Sequence, residues 1–205
     1  MTRIFDNIKS ELGAHLRQTL QVSERMDVAV GYFNLRGWAA FDDIVRAKAT
    51  TGVSGPIVRI LIGMVMNGPQ QEALDELQGA VDGTPSVDAD ANAARERKAQ
   101  LLEQLRIQLM RGLPTNGDRA ALQSLRDLLE QGVVELKVFT RRPLHGKTYI
   151  CHRQDLNNPI TGFVGSSNLT APGLAHNLEL NVDVVDNAGA ETLANWFEDR
   201  WNDKF

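Results

Sequence analysis

The chain has 205 residues, of which 42% are hydrophobic and 23% are charged, so its composition is that of a globular protein and excludes general disorder. Its formal net charge of -4 excludes a generally basic protein, so any site for nucleic acid must be a local basic patch. The single cysteine, Cys151, excludes an internal disulfide, and because the first residues carry no signal-peptide pattern we expect a reducing, cytoplasmic location.

Helices and strands are predicted to alternate in the first third of the chain. Apolar residues between Ile4 and Leu20 recur at helical spacing and predict a helix over about residues 4–23. Residues 26–33 and 57–63 are short, apolar and rich in β-branched side chains, which is typical of buried strands. A helix over about residues 37–48 separates them, so the order predicts a crossover unit with parallel strands.

The segment from about residue 68 to residue 132 has a different character. Residues 81–94 are rich in Asp, Gly, Pro, Ser and Ala, which predicts a loop. Charged helices are predicted over residues 95–110 and 119–130. We interpret this segment as a helical insertion in one domain that covers residues 1–205.

After Gly132 the pattern returns to strands and ends in a helix. Strands are predicted over residues 133–140, 147–152, 160–164 and 177–185, and an amphipathic helix over 188–201. The expected fold class is therefore α/β, with a mixed central β-sheet flanked by helices on both faces.

Two predicted strand ends carry side chains suited to phosphate chemistry. His145 and Lys147 project together, because side chains two positions apart in a strand share a face. An imidazole beside an ammonium group suits attack on a phosphate, since one group can be the nucleophile while the other holds the anion. The turn that follows the next strand brings Ser166 and Asn168, whose polar groups can converge on phosphate oxygens.

A third feature is the alternation of polar and apolar side chains between residues 177 and 184. The polar side chains share one face, and a carboxylate there, such as Glu179, could bind the second imidazole nitrogen of His145 and fix its tautomer. Each feature alone has a common structural alternative: a chance His-x-Lys pair, a simple turn, or a solvated sheet face. Because the three features follow one another closely in the sequence, we favour a catalytic site for phosphate chemistry over these structural alternatives.

These residues resemble the signature of a known superfamily. His145-x-Lys147 followed by Gly165-Ser166-x-Asn168 is similar to the HKD motif of the phospholipase D superfamily, and Glu179 lies where its nuclease members carry a glutamate. Residues 27–38, 165–174 and 196–201 also resemble the phospholipase D-like domain at the N-terminus of some bacterial Swi/Snf-type helicases. The sequence departs from the superfamily pattern at His152, where the pattern has an aspartate.

The resemblance implies a metal-independent phosphodiesterase, here a nuclease, that needs no cofactor. It implies that His145 attacks phosphorus and forms a phosphohistidine. Lys147, Ser166 and Asn168 would hold the phosphate oxygens, and Glu179 would orient His145. The resemblance also implies a second histidine as general acid, and because the chain has no second His-x-Lys, we expect it from a second copy in a homodimer.

A basic patch precedes the His-Lys strand. Residues 133–153 hold five basic residues and one acidic residue, a local charge of +4. Arg141 and Arg142 are candidates for contacts to the phosphate backbone of nucleic acid, most of all DNA, although two solvated arginines at a strand end are the alternative.

Two other functions compete with a nuclease. One is a catalytically silent module that binds phosphate or DNA for a helicase or restriction partner, which His152 and the acidic overall charge favour. The other is a lipid phosphodiesterase, which is less favoured because no amphipathic membrane-binding surface stands out, and we expect no membrane partner. The residues contain no P-loop, so a helicase motor domain would lie outside them.

Overall fold

A mixed β-sheet lies at the centre of the computed structural model, which describes residues 2–52, 55–63, 98–99, 102–103, 106, 115–141 and 144–203. Within these residues the sheet has seven strands, and the helices whose bounds are described are five α-helices and one short π-helix; residues 98, 99, 102, 103 and 106 are helical too. The strands are β1 (Ile4–Phe5), β2 (Arg25–Val30), β3 (Val58–Ile62), β4 (Val134–Val138), β5 (Lys147–His152), β6 (Ile160–Gly165) and β7 (Asn181–Val184). The helices are α1 (Leu12–Gln21), α2 (Leu35–Ala39), α3 (Asp42–Ala49), α4 (Asn116–Glu130), the π-helix Pro172–His176 and α5 (Asn187–Trp201).

The strand order across the sheet is β1-β7-β6-β5-β2-β3-β4. β2, β3 and β4 are parallel, which confirms the predicted crossover unit, and the other neighbouring pairs are antiparallel. As a result, the carboxyl ends of β2, β3, β4 and β6 meet the amino ends of β5 and β7. We call this the Lys147 end of the sheet.

Helices cover both faces of the sheet, as the predicted fold class requires. On one face, α1 to α4 bury the larger core, whose largest fully buried side chains include Phe5, Trp38, Phe41, Tyr149 and Phe163. On the other face, α5 packs Phe197 and Trp201 against alternate residues of the central strands. The two cores exist because successive side chains of each strand point to opposite faces.

The predicted first helix is wrong over residues 4–11. Ile4 pairs with Val182 in β7, and the helix begins only at Leu12. After β1 the chain turns at Asp6, whose carboxylate accepts the backbone N–H groups of residues 8 to 10. The helical spacing therefore holds only for Leu12 and the buried positions that follow it in α1.

Other differences are smaller. The predicted helix over residues 37–48 is two helices, α2 and α3, and the predicted strand over residues 177–185 begins only at Asn181. The polar face of β7 is its buried face, because Arg3 binds the Asp183 carboxylate through its backbone N–H at 2.6 Å and its Nε at 2.7 Å. The predicted loop over residues 81–94 and most of the predicted helix over residues 95–110 lie outside the described residues.

Candidate functional site

Three adjacent strands position the candidate site at the Lys147 end of the sheet. Lys147, Gly165 and Asn181 lie side by side across β5, β6 and β7. Directly opposed residues of antiparallel strands share a face, so the side chains of Lys147 and Asn181 point to the side of α1 to α4, the side to which Tyr149 and Phe163 also point. A Cβ atom at Gly165 would lie only 2.2 Å from the Leu180 backbone oxygen, so glycine allows the chain before β7 to approach the turn after β6.

The structure brings His145 and Lys147 together, although His145 precedes β5 and so does not share a strand face with Lys147. Lys147 Nζ lies 3.3 Å from His145 Nδ1 and donates to the His145 backbone oxygen at 2.8 Å. An ammonium group can only donate, so Nδ1 accepts and a neutral imidazole carries its proton on Nε2. His145 is exposed and Lys147 is half-buried. Burial lowers the pKa of Lys147, and the nearby Glu179 carboxylate opposes that shift.

Ser166 and Glu179 form the second part of the site. The Ser166 hydroxyl donates to Glu179 Oε2 and accepts the backbone N–H of Leu180 at 3.0 Å. The sequence predicts instead that Glu179 binds His145; among the described residues, no hydrogen bond joins these two side chains. Glu179 is nevertheless close enough to Lys147 to act on its charge, so one carboxylate faces both the hydroxyl and the ammonium group.

Asn168 completes the group of predicted side chains. Its Oδ1 accepts the backbone N–H of Tyr32, just after β2, at 2.9 Å. This bond fixes the orientation of the amide and turns its NH₂ group, the donor that a phosphate oxygen needs, away from Tyr32. His145, Lys147, Ser166, Asn168 and Glu179 therefore come from the ends of three strands, β5, β6 and β7, at the Lys147 end of the sheet.

Three buried residues beneath the site were missed by the sequence analysis as functional residues. Asn181 Nδ2 donates to Ser167 Oγ at 2.8 Å, and Ser167 N–H donates to Asn181 Oδ1 at 3.2 Å. The Tyr149 hydroxyl donates to the Ser167 backbone oxygen at 3.0 Å, and burial raises the pKa of Tyr149, so this hydroxyl stays protonated. These bonds fix the turn that carries Ser166 and Asn168. The alternating pattern of residues 177–184 contained the only signal for them, at Asn181.

A second polar cluster lies at the opposite end of β5, on the side of α5. The imidazole of His152 binds Asp27 Oδ2 at 2.7 Å, and Arg59 binds the same carboxylate through Nε at 2.7 Å and Nη2 at 2.8 Å. Arg59 also binds Glu198 and lies over the ring of Phe197 in α5. We name the set Asp27, Arg59, His152 and Glu198 the Asp27 cluster. The only indication of this cluster in the sequence was that Asp27 and Arg59 lie inside two predicted apolar strands.

The candidate arginines are not part of this group of side chains. Arg141 Nη1 donates to Asp203 Oδ2 at 3.0 Å, and Arg142 lies outside the described residues. In the described part of the chain, no group of three or more His, Cys, Asp or Glu side chains could hold a metal ion. Of the helices in the described ranges, none is long and apolar enough to cross a membrane.

Comparison with known sequences identifies one family. The sequence profile of the family described as "Cardiolipin synthase, PLD-like domain" matches residues 16–201, which is most of the chain. No curated protein sequence matches the chain.

Comparison with solved structures shows the same fold. The phospholipase D family member Nuc from Salmonella typhimurium is similar over 98% of this chain and 94% of its own, with a TM-score of 0.53 and 15% identity. Polyphosphate kinase from Porphyromonas gingivalis has a TM-score of 0.54 and 6% identity, and this chain covers 26% of its length. Phosphatidylserine synthase from Haemophilus influenzae Rd KW20 has a TM-score of 0.51 and 12% identity, with 38% of its length covered.

Proposed function

The chain belongs to the phospholipase D-like domain family, and from this premise we propose that it is a metal-independent phosphodiesterase that cleaves nucleic acid. One observation supports the proposal above others: an imidazole, an ammonium group, a hydroxyl, an amide and a carboxylate meet at one end of the sheet. They belong to His145, Lys147, Ser166, Asn168 and Glu179. The proposal treats residues 1–205 as one domain.

The proposed reaction has two displacements at phosphorus. In the first, a nitrogen of His145 forms a bond to phosphorus while the bond from phosphorus to the leaving oxygen breaks, which gives a phosphohistidine. In the second, water attacks phosphorus, the phosphorus–nitrogen bond breaks and the imidazole is regenerated. Lys147 leaves His145 Nδ1 to hold a phosphate oxygen, and the amide of Asn168 and the hydroxyl of Ser166 hold the others.

Glu179 is proposed to orient His145 once Lys147 has moved to the phosphate. In the structure its carboxylate is held by Ser166 and lies close enough to Lys147 to affect its pKa. The Glu179 carboxylate therefore interacts with both the Ser166 hydroxyl and the Lys147 ammonium group, the two groups that are proposed to hold the phosphate. It also balances the charge of Lys147 before substrate arrives.

A homodimer is part of the proposal, because the leaving oxygen needs a proton and the chain has one His-x-Lys pair. A second His145 would protonate the leaving oxygen and later take a proton from water. Sedimentation at micromolar concentration is expected to show a particle of two chains. A monomer that retains cleavage would overturn the two-chain site.

Nucleic acid is proposed as the substrate because of the local charge of +4 in residues 133–153. Arg141 and Arg142 would contact the backbone, in which case Arg141 would exchange Asp203 for a phosphate. The resemblance to helicase N-terminal domains supports a place in a larger helicase-type protein.

Wild-type protein is expected to cleave labelled single-stranded or double-stranded DNA in excess EDTA, because Lys147 and Asn168 supply the charge stabilisation. RNA and vesicles of phosphatidylcholine with phosphatidylglycerol are the comparison substrates. Cleavage of phospholipid alone would make lipid the substrate class, which the family description and the similarity to a phosphatidylserine synthase also suggest. Cleavage that EDTA abolishes would contradict the mechanism.

The competing function is a catalytically silent module that binds DNA or phosphate. The observation that favours it is His152, at the position where the superfamily pattern has an aspartate. A carboxylate is nevertheless present at the carboxyl end of β5, because His152 binds the side chain of Asp27. A wild-type protein that binds DNA but cleaves none of the substrates above would establish the silent module.

A further inference from the structure

We propose that Asn7 is a positioning residue of the candidate site: its side chain holds the segment that carries Glu179 in place against Ser166. The inference rests on the proposed function, since it assigns Asn7 a role in the same site. Asn7 lies outside every motif that the sequence analysis identified, and it is in the part of the chain where the predicted helix was wrong.

The Asn7 side chain connects three segments. Its Nδ2 donates to the backbone oxygens of Gly173 at 3.0 Å and Asn177 at 3.1 Å, and its Oδ1 accepts the N–H of Leu12 at 3.0 Å. Asn7 has a φ of 58°, and among the described residues it is the only one other than glycine with a positive φ. Asparagine adopts this conformation more readily than most residues, because its short polar side chain can bind nearby backbone groups.

The segment that Asn7 holds has few other anchors. β7 begins at Asn181, so residues 177–180 lie outside the strand. The side chains of Leu178 and Leu180 are 75% and 62% exposed, so apolar packing does not hold the segment. Besides the Ser166 contacts, the backbone N–H of Asn177 donates to the Pro172 oxygen at 2.7 Å, and the backbone N–H of Glu179 donates to the Asp6 oxygen at 3.4 Å. Asp6 and Asn7 therefore hold the chain on both sides of Leu178.

The consequence concerns the position of the Glu179 carboxylate. Without the Asn7 amide, the Asn177 backbone oxygen loses its donor, and Glu179 can withdraw from Ser166 and Lys147. A misplacement of about 1 Å in a catalytic group can cost about 100-fold in rate. Because Glu179 acts mainly on the transition state in the proposed mechanism, the loss falls on kcat more than on KM.

Asn7→Gly and Asn7→Asp test the inference. Glycine permits the positive φ but removes the amide, whereas aspartate keeps the shape and the acceptor for Leu12 N–H but removes both donors. Each variant is expected to lower kcat about 10- to 100-fold with little change in KM. Asn187→Asp is the matched control, because it removes an amide donor to the Asn157 oxygen on the exposed surface; it should leave kcat unchanged.

Two further readouts separate positioning from a structural role. In a Glu179→Gln background, Asn7→Gly should lower kcat little further, because both changes remove the same carboxylate interaction; a purely structural role would give additive losses. Hydrogen exchange at the Glu179 and Leu180 amides should quicken in Asn7→Gly while the amides of β5 stay protected.

The outcomes distinguish this inference from the proposed function. If wild type cleaves DNA and Asn7→Gly has the wild-type kcat, or the losses are additive, the positioning role is overturned and the phosphodiesterase stands. If wild type cleaves no substrate, the proposed function fails and the catalytic role of Asn7 fails with it. If Asn7→Gly does not fold, Asn7→Asp decides by the same readouts, and unchanged kcat in that variant overturns the inference.

Discussion

His145→Ala is expected to abolish phosphodiester cleavage, with a loss of about 10,000-fold or more in kcat, because the variant lacks the group that bonds to phosphorus. DNA binding should change little, since the imidazole acts mainly in the transition state. The measurement is cleavage of labelled DNA in excess EDTA, with filter binding or fluorescence anisotropy for affinity. Cleavage by His145→Ala at the wild-type rate would contradict the proposed nucleophile.

Two neighbouring variants make this result specific. Lys147→Ala should weaken both cleavage and DNA binding, because the ammonium group also holds the phosphate in the ground state. Glu179→Gln should lower kcat less than His145→Ala, because it removes orientation and charge but leaves the nucleophile in place. Equal losses in all three variants, accompanied by lost binding, would indicate collapse of the site rather than removal of separate roles.

Asp27→Asn is expected to lower the free energy of unfolding by about 3–5 kcal/mol, because it removes the buried carboxylate of the pair and leaves Arg59 with Glu198, which is partly exposed, as its charged partner. The Asp27 side chain is 1% exposed, and it accepts two hydrogen bonds from Arg59, one from His152 and one from Arg25. Denaturation in urea, followed by circular dichroism, measures the change. A loss below about 1 kcal/mol would show that Glu198 alone is a sufficient partner for Arg59.

Asp43→Asn is the matched control for that prediction. Asp43 also accepts two hydrogen bonds from one arginine, Arg17, both at 2.7 Å, but its side chain is 64% exposed. Solvent screens this pair, so its loss should cost about 1 kcal/mol or less. The two variants remove the same kind of pair and differ in burial.

At low pH, the difference in the free energy of unfolding between wild type and Asp27→Asn should become smaller. Burial alone would raise the pKa of Asp27, but the hydrogen bonds from Arg59 and His152 outweigh it and hold the pKa below the ordinary value of 3.8. The stabilisation from this carboxylate is therefore fully present above the unfolded-state pKa and is lost as the pH falls through the lower folded-state pKa. Urea denaturation at pH 7 and at successively lower pH tests this dependence.

The sequence was sufficient for features that depend on neighbouring residues. β5 begins and ends at the predicted residues, because an apolar run between polar residues defines a buried strand. The expected proximity of His145 and Lys147 is also observed, but for a different reason: β5 begins at Lys147, and the Lys147 ammonium group reaches back to the His145 backbone oxygen and ring.

Features that depend on distant pairing could not be predicted. Residues 4–11 have local helical spacing, but β1 forms because Ile4 finds Val182 at the far end of the chain. The Asp27 cluster requires the registers of β2 with β3 and with β5, which no local pattern contains. The same reason explains Glu179: alternation placed it in a strand, whereas β7 begins only at Asn181, and the close approach at Gly165 brings Glu179 to Ser166.

The position of Asn7 also has a consequence for how the protein is made. Asn7 and Gly173 are separated by 166 positions, so a segment synthesised near the start of the chain waits for one synthesised near its end. The strands β5, β6 and β7 are consecutive antiparallel neighbours joined by residues 153–159 and 166–180, whereas β1 pairs with β7 across most of the sequence. On the ribosome, the contacts of Asn7 can therefore form only after residues 173 and 177 have been synthesised, when β5 and β6 are already available to pair.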